Sequence, residues 1–290
     1  VITMPKYFIQ GIITLFNPKK ANEIKYNGKP VIPIIILSLT LGTYLICVFI
    51  CSKWYVQQLK LDFLTNDILK TTEALKDEKQ ETIDYVEYYP DSVDKYKDIS
   101  FMNVDFGELL SKNSDTVGWI KVNNTNVNYP VVQTNDNAYY LKHDFNKKSN
   151  RSGWVYADYR DDFKYFGNNS IIYAHNTRTD TMFSTLTWCL KDSWYTNVDN
   201  HYIKVSTPTS NTVWKIFSIY MIKTEVYYLK TYFETEEEHQ KFVDTIKGRS
   251  IYNFNEDIST EDKILTLSTC NNDSTKRIVI HAKMIKAEYK

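Results

Sequence analysis

Cysteine is scarce in this chain, with four in 290 residues. Cys47 and Cys51 fall in an uncharged run. Only Cys189 and Cys270 remain elsewhere, too few for a disulfide framework. A glycine-rich loop suited to phosphate is missing, and His and Cys never recur at paired metal-ligand spacings, so no cofactor and no metal is expected. The chain also lacks an excess of either charge: Lys+Arg and Asp+Glu both number 35. With no basic face and no low-complexity tract, nucleic acid is not an expected partner. Internal repeats are absent too. The 43% hydrophobic fraction and the length fit one sizeable domain with appendages.

The first of those appendages is apolar. From Val31 to Cys51 no residue is charged, and at about 1.5 Å per residue the run spans roughly 31 Å, the thickness of a bilayer's hydrocarbon core. It is too long for a signal peptide, and its 30-residue leading segment and lack of a small-x-small site argue against cleavage. Lys6, Lys19, Lys20, Lys25 and Lys29 precede the run against the single acid Glu23, whereas only Lys53 follows closely, which places the N-terminus in the cytoplasm. The expected organisation is therefore a cytoplasmic tail over 1–30, a transmembrane helix over 31–51, a helical linker over 52–103 and an extracellular domain over 104–290. In the linker, Leu59, Phe63, Leu64, Ile68 and Leu69 recur at three to four residues, predicting one or two helices between Trp54 and Ser100, with Pro90-Asp91-Ser92 as a turn. A further helix is expected near Val104–Lys112.

Beyond Asp115, β-prone runs alternate with turn signals: Trp119–Val122, Val127–Val132, Gly153–Ala157, Ser170–Tyr173, Tyr202–Ser206, Val213–Lys223, Ile264–Thr269 and Arg277–Ile285. This is a mainly β fold, an eight-stranded barrel, whose closure removes exposed strand edges. Thr235 to Ile246 reads as an amphipathic helix, with Thr235 as N-cap, Glu238 at the third helical position, and Phe242 and Ile246 on its apolar face. Cys189 lies in an apolar segment at helical spacing and is expected in the core.

Thr266-Leu267-Ser268-Thr269-Cys270 ends one β-prone run, and Arg277-Ile278-Val279-Ile280 opens the next. If these runs pair, a thiol and a guanidinium meet at one point. Ile171-Ile172-Tyr173-Ala174-His175-Asn176 brings a histidine to a third strand end. A thiol, an imidazole and a guanidinium are the parts that covalent acyl transfer needs. With these residues the sequence resembles the sortases, membrane-anchored cysteine transpeptidases of Gram-positive bacteria. Gly118-Trp119-Ile120, Tyr129-Pro130-Val131-Val132-Gln133, Asp136-Asn137 and Tyr140-Leu141 recur in the family's order, and the resemblance runs from about Phe106 to Ile285. Ala174 stands where the family usually has Gly. The segment Thr235–Phe254, inserted before the Cys strand, resembles the helical insertion of class B members, where it walls the substrate groove.

The resemblance implies a sortase-type barrel and three roles: Cys270 as nucleophile, His175 as general acid and then base, and Arg277 as donor to the oxyanion or to substrate carbonyls. It also suggests Asn137, Leu141 and Ser268 as substrate-binding residues, with Ser250 and Tyr252 added by position. The implied activity cleaves a C-terminal sorting motif of secreted proteins after Thr, holds the acyl group as a thioester and passes it to a peptidoglycan amine. The partners are those secreted proteins, the peptidoglycan precursor and membrane lipid. Two alternatives stand beside it: a cysteine peptidase with water as acceptor, and a membrane-tethered peptide-binding module without turnover. His143, His201, His239 and His281 lack a thiol in motif context and are expected to be structural, and Asp273 is expected to be a solvated turn residue.

Overall fold

A computed structural model of the chain describes residues 25–26, 29–73, 85–88, 95–177, 179–223, 225–270 and 276–290. The chain divides into two compact units, Val1–Phe63 and Leu64–Lys290. Helix α1, Val31–Glu73, supplies most of the first unit's described residues. Its stretch Ile35–Lys70 is long and apolar enough to cross a membrane. Leu37, Leu41, Leu45 and Phe49 lie exposed along it. The hydroxyls among them turn inward: Thr40, Thr43 and Ser52 each donate to the carbonyl three residues back, on Leu37, Thr40 and Phe49, at 2.9 Å. A polar side chain that satisfies itself on its own backbone is compatible with an apolar surround.

Helix α1 continues through Leu59, Phe63, Leu64, Ile68 and Leu69 to Glu73, in line with the helix expected after Trp54, because no glycine or proline follows Gly42 to interrupt it. One stretch of the expected helical linker is corrected to a strand: Tyr85–Tyr88 pairs antiparallel with Lys286–Tyr289. The β-prone Tyr-Val-Glu-Tyr meets a long strand that has already run past its other neighbour, so edge pairing outweighs the helical tendency of the flanking charged residues. Pro90-Asp91-Ser92 lies outside the described residues.

The second unit is the expected barrel. Its strands are β1 (Thr116–Val122), β2 (Asn128–Val132), β3 (Tyr156–Ala157), β4 (Asn169–His175), β5 (Tyr202–Ser206), β6 (Ser210–Lys223), β7 (Ile264–Cys270) and β8 (Lys276–Tyr289). The order β7-β4-β3-β2-β1-β5-β6-β8 closes on itself through pairing of β7 with β8. Inside sit Ile120, Val131, Ile172, Ile203, Trp214, Ile216, Leu265, Leu267 and Ile280, all buried. Helix α2, Gly107–Lys112, falls within the range expected for it.

β7 is buried on both faces, which its sequence shows by alternation of a different kind. Leu265 and Leu267 take one face, and Ile264, Thr266 and Ser268 the other, yet all are inaccessible. The second face is covered by the connection from β6 to β7, which carries a 3-10 turn at Tyr227–Leu229 and an amphipathic helix over Glu236–Gly248. Following the short α3 (Asp192–Tyr195), this helix is α4. Thr235 caps it, its Oγ1 accepting from Glu238 N at 3.2 Å, as the sequence predicts. Glu238 reaches back to accept from Glu234 N and pairs with Lys230, rather than closing on the cap residue itself. Phe242, Val243 and Ile246 pack with Phe217, Tyr220, Tyr228, Phe233, Ile264 and Val279. The end of the insertion is pinned to β6: Ser218 Oγ donates to Ile246 O at 2.6 Å, and Ser250 Oγ accepts from Ile219 N at 3.2 Å. Tyr252 stacks on Tyr195 at 4.1 Å.

Asp161, in the β3–β4 connection, accepts Ile171 N at 2.5 Å. Burial outweighs that bond and raises its carboxyl to about 7. The folded protein thus holds a proton that the unfolded chain releases near pH 4, so this group's contribution to stability is present at acid pH and is lost as pH rises toward 7. Asp161→Asn keeps the acceptor and cannot ionise; relative to the parent, its melting temperature should rise steadily between pH 4 and 7 and level off above, as differential scanning fluorimetry across pH 4–8 would read.

Candidate active site

Three strand ends meet. β7 runs parallel to β4 in unbroken register from Ile264↔Asn169 to Cys270↔His175, so the cysteine and histidine are direct neighbours across the ladder. On its other side β7 pairs antiparallel with β8 from Ile264↔Lys283 to Ser268↔Val279. The same count continued for two residues sets position 277 opposite position 270. At this end β8 pairs with β6, Arg277 opposite Ile222. Thr269 Oγ1 takes the amide of Ile278 at 2.9 Å where the strands begin to part.

His175 is buried, and its Nε2 lies 2.8 Å from the carbonyl oxygen of Leu141. A carbonyl only accepts, so Nε2 carries a proton and Nδ1 is the nitrogen that gains and loses one. The carbonyl is held by local chemistry. Asp136 Oδ1 accepts from Ala138 N and Tyr139 N at 2.7 and 2.8 Å, starting the 3-10 turn Tyr139–Leu141. Gly153 then passes beneath with φ of +56°, so close that a Cβ there would lie 2.4 Å from Tyr140 O and 2.9 Å from Leu141 O. Only glycine fits.

Arg277 Nη1 approaches Tyr228 Oη at 3.4 Å, and that hydroxyl lies 2.9 Å from Ser268 Oγ. Tyr228 is fully buried in the turn before α4. A second polar chain runs behind it. Tyr227 donates to Tyr220, whose hydroxyl lies 2.8 Å from His281 Nε2; His281 Nδ1 lies 2.8 Å from Thr266 Oγ1, which donates to Asn169 Oδ1 at 2.6 Å. Asn169 Nδ2 ends the chain on the carbonyls of Tyr228 and Lys230, at 3.2 and 2.8 Å. Since Thr266 has one proton and gives it to Asn169, it accepts from His281 Nδ1–H, and Nε2 accepts from Tyr220. Every donor direction is fixed, and only neutral His281 satisfies it.

Asn137 and Ser268 have their polar groups engaged with the protein. Asn137 Nδ2 donates to Asp158 at 2.9 Å and its Oδ1 accepts from Tyr159 N at 3.0 Å, while Ser268 meets Tyr228. Leu141 lends the site its carbonyl and keeps a half-buried side chain. His143 stacks on Tyr139 and His201 on Tyr195; His239 stacks on Phe233. Cys189 is buried, and burial pushes its thiol far up. Asp273 lies outside the described residues. Among the described residues no group of three or more His, Cys, Asp or Glu could hold a metal ion. Sequence reasoning missed Tyr228, Asp158 and Arg160. They sit in connections without periodicity, where the only signal was a Tyr-Tyr-Leu run and a strand ending in Asp.

A barrel that delivers a cysteine, a proton-carrying imidazole and a guanidinium to adjoining strand ends is a scaffold for thiol-dependent acyl transfer. Known proteins agree. A family model described as the sortase domain matches residues 120–285. Sortase B of Staphylococcus aureus is 38% identical over 189 residues, covering 62% of this chain and 75% of the relative. A solved S. aureus sortase B–substrate complex matches with a TM-score of 0.59 at 37% identity, covering 62% of this chain and 84% of that one. Sortase B from Bacillus anthracis, in complex with a compound designated AAEK1, matches with a TM-score of 0.66 at 25% identity over 80% of this chain and 99% of the other. The chain belongs to the sortase family, in its class B, and is a cysteine transpeptidase that processes sorting signals.

Two outcomes follow from the supports of this site. Gly153→Ala should cost about 1–3 kcal/mol in thermal unfolding and displace the Leu141 carbonyl, seen as a change in the ring nitrogen shifts of His175. Burial lowers His281 to about 3. Its unfolded counterpart takes up a proton near pH 6.5, so stability is full above that pH and declines as pH falls below it. His281→Gln should flatten the fall in unfolding free energy between pH 6.5 and 4, measured by urea titration.

Proposed function

We propose that this chain cleaves a C-terminal sorting motif of secreted proteins after its Thr, and joins the new carboxyl end to a peptidoglycan amine. The observation that carries this reading is the direct pairing of Cys270 with His175 at the ends of β7 and β4, with Arg277 entering on β8. Cys270 is the nucleophile. Its thiolate adds to the Thr carbonyl, and Arg277 donates to the oxyanion that forms. His175, protonated on both ring nitrogens, gives its Nδ1 proton to the departing amine, leaving the acyl group as a thioester on Cys270. The incoming amine loses a proton to Nδ1 as it attacks, and the thiolate leaves. A thiol of ordinary pKa is only a few per cent thiolate at neutral pH, so a cation at this point raises the reactive fraction.

The recognition groove is proposed along the turn Tyr139–Leu141 and the segment Tyr227–Leu229, with Asn137, Leu141 and Ser268 contributing. A substrate complex exists for the S. aureus relative, which supports peptide binding at the corresponding place here. The apolar helix supports a single-pass membrane anchor, and the lysine-rich leading segment supports a cytoplasmic N-terminus with residues 104–290 outside, where exported substrates and wall precursors meet.

The test is intact-mass spectrometry of the full chain in detergent with a library of sorting-motif peptides, with and without a small amine. The expected result is an adduct on Cys270 that the amine resolves to a new amide. Resolution by water alone, at any amine concentration, would replace transpeptidation by hydrolysis as the physiological outcome. Cys270→Ala should form no adduct, and Arg277→Lys, which keeps the charge but loses the planar fork, should lower kcat by about 10²–10³.

A further inference from the structure

Beside the barrel's mouth, two segments from distant parts of the chain approach the strand ends. Tyr139–Leu141 meets His175 through the Leu141 carbonyl, and Tyr227–Leu229 meets Ser268 and Arg277 through Tyr228. A chain of four residues links the two segments. Asn137, just before the first segment, donates to Asp158 Oδ2 at 2.9 Å. Asp158 is fully buried at the end of β3, and its carboxylate also takes the Tyr173 hydroxyl at 2.9 Å. Arg160 grips the same carboxylate with Nε and Nη2 at 2.8 and 2.7 Å, and its Nη2 donates onward to Leu229 O at 2.9 Å.

This is a built arrangement rather than a surface ion pair. The carboxylate accepts from three side chains and from Arg160 N, at 3.0 Å. Burial by itself would raise Asp158, but the Arg160 fork, its backbone amide and the Tyr173 hydroxyl outweigh it and hold the carboxyl below its ordinary range. A guanidinium suits the position because one planar group can satisfy a carboxylate bidentately and still offer a hydrogen to a carbonyl, which an ammonium on a flexible stem does with less fixed geometry.

We propose that Arg160 is a positioning residue for substrate recognition: the bridge Asn137–Asp158–Arg160–Leu229 sets the distance between the two segments that flank the catalytic strand ends, and so the width of the channel that receives the peptide. The proposal rests on the groove assigned under Proposed function. Arg160 takes no part in the proposed acyl transfer. Its loss should therefore weaken peptide capture while leaving the thiol's own reactivity alone.

The experiment compares the full chain with Arg160→Gln, Arg160→Lys and the double variant Asp158→Asn/Arg160→Gln, the last removing the buried carboxylate that a single change would strand. Hydrogen exchange of Tyr227–Lys230, the KM and kcat for a sorting-motif peptide, and the rate of Cys270 alkylation by iodoacetamide are measured on each. Losing a charge-assisted anchor should speed exchange in that segment and raise KM, each by about tenfold, with kcat and alkylation within about twofold of the parent and with Arg160→Lys intermediate. Unchanged exchange overturns the bridge, and does so whether or not the chain turns peptide over. Where peptide is turned over, an unchanged KM, or alkylation and kcat falling in step with KM, overturns the role in channel width. If no peptide is turned over by the parent, the groove reading fails separately, and the exchange result alone upholds or overturns the bridge.

Discussion

The structure depends on one strand being shared. β7 must pair with β4 in parallel and with β8 in antiparallel fashion, and only by doing both does the sheet close. Parallel neighbours cannot be linked by a tight turn, so the two strands that carry Cys270 and His175 are separated by 88 residues of intervening barrel and insertion, between Asn176 and Lys263. The pairing register leaves no slack: a slip of one residue would exchange Leu265 and Leu267, in the barrel interior, for Thr266 and Ser268, and every side chain on β7 would face the wrong way. The geometry of the strand ends is thus a by-product of barrel closure, paid for by the hydrophobic core and not by the site itself.

A shared strand buried on both faces raises a polar problem, because its outer face carries Thr266 and Ser268 under the insertion. An unsatisfied hydroxyl there costs about 1–3 kcal/mol. The insertion answers with complementary groups. Tyr228 meets Ser268, and the run from Tyr227 to Asn169 passes one proton direction through Tyr220, His281 and Thr266 without a gap. Because Asn169 ends on the carbonyls of Tyr228 and Lys230, the network that satisfies β7 also orients the turn that meets Arg277. Apolar cover from Phe242, Val243 and Ile246 keeps water away from these bonds and so strengthens them.

The same turn is held a second time, with charge. Asp158 sits at 0% exposure, a position that a carboxylate occupies only when donors surround it. Those donors come from the β2–β3 connection (Asn137), from β4 (Tyr173) and from the β3–β4 connection (Arg160), and Arg160 carries the tie on to the β6–β7 insertion through Leu229 O. Arg277 by contrast meets Tyr228 at a longer 3.4 Å.

All eight barrel strands were legible from the sequence, since alternation and β-branched content report the burial that makes a strand; Tyr202–Ser206 matches to the residue. Capping chemistry gave the start of α4 for the same local reason. One strand in the linker was not legible: Tyr85–Tyr88 pairs with a strand about 200 residues away, and amphipathic spacing around it carries no trace of that partner. Local pattern alone therefore determined the strands, the apolar helix and the residue types able to perform acyl transfer. Which of them became neighbours was decided by tertiary structure: the carbonyl that fixes the His175 tautomer, the tyrosine beside Arg277 and the buried carboxylate that holds two flanking segments. These contacts join residues 15 to 69 positions apart, and their energy comes from removing water around groups that only closure of the barrel brings together.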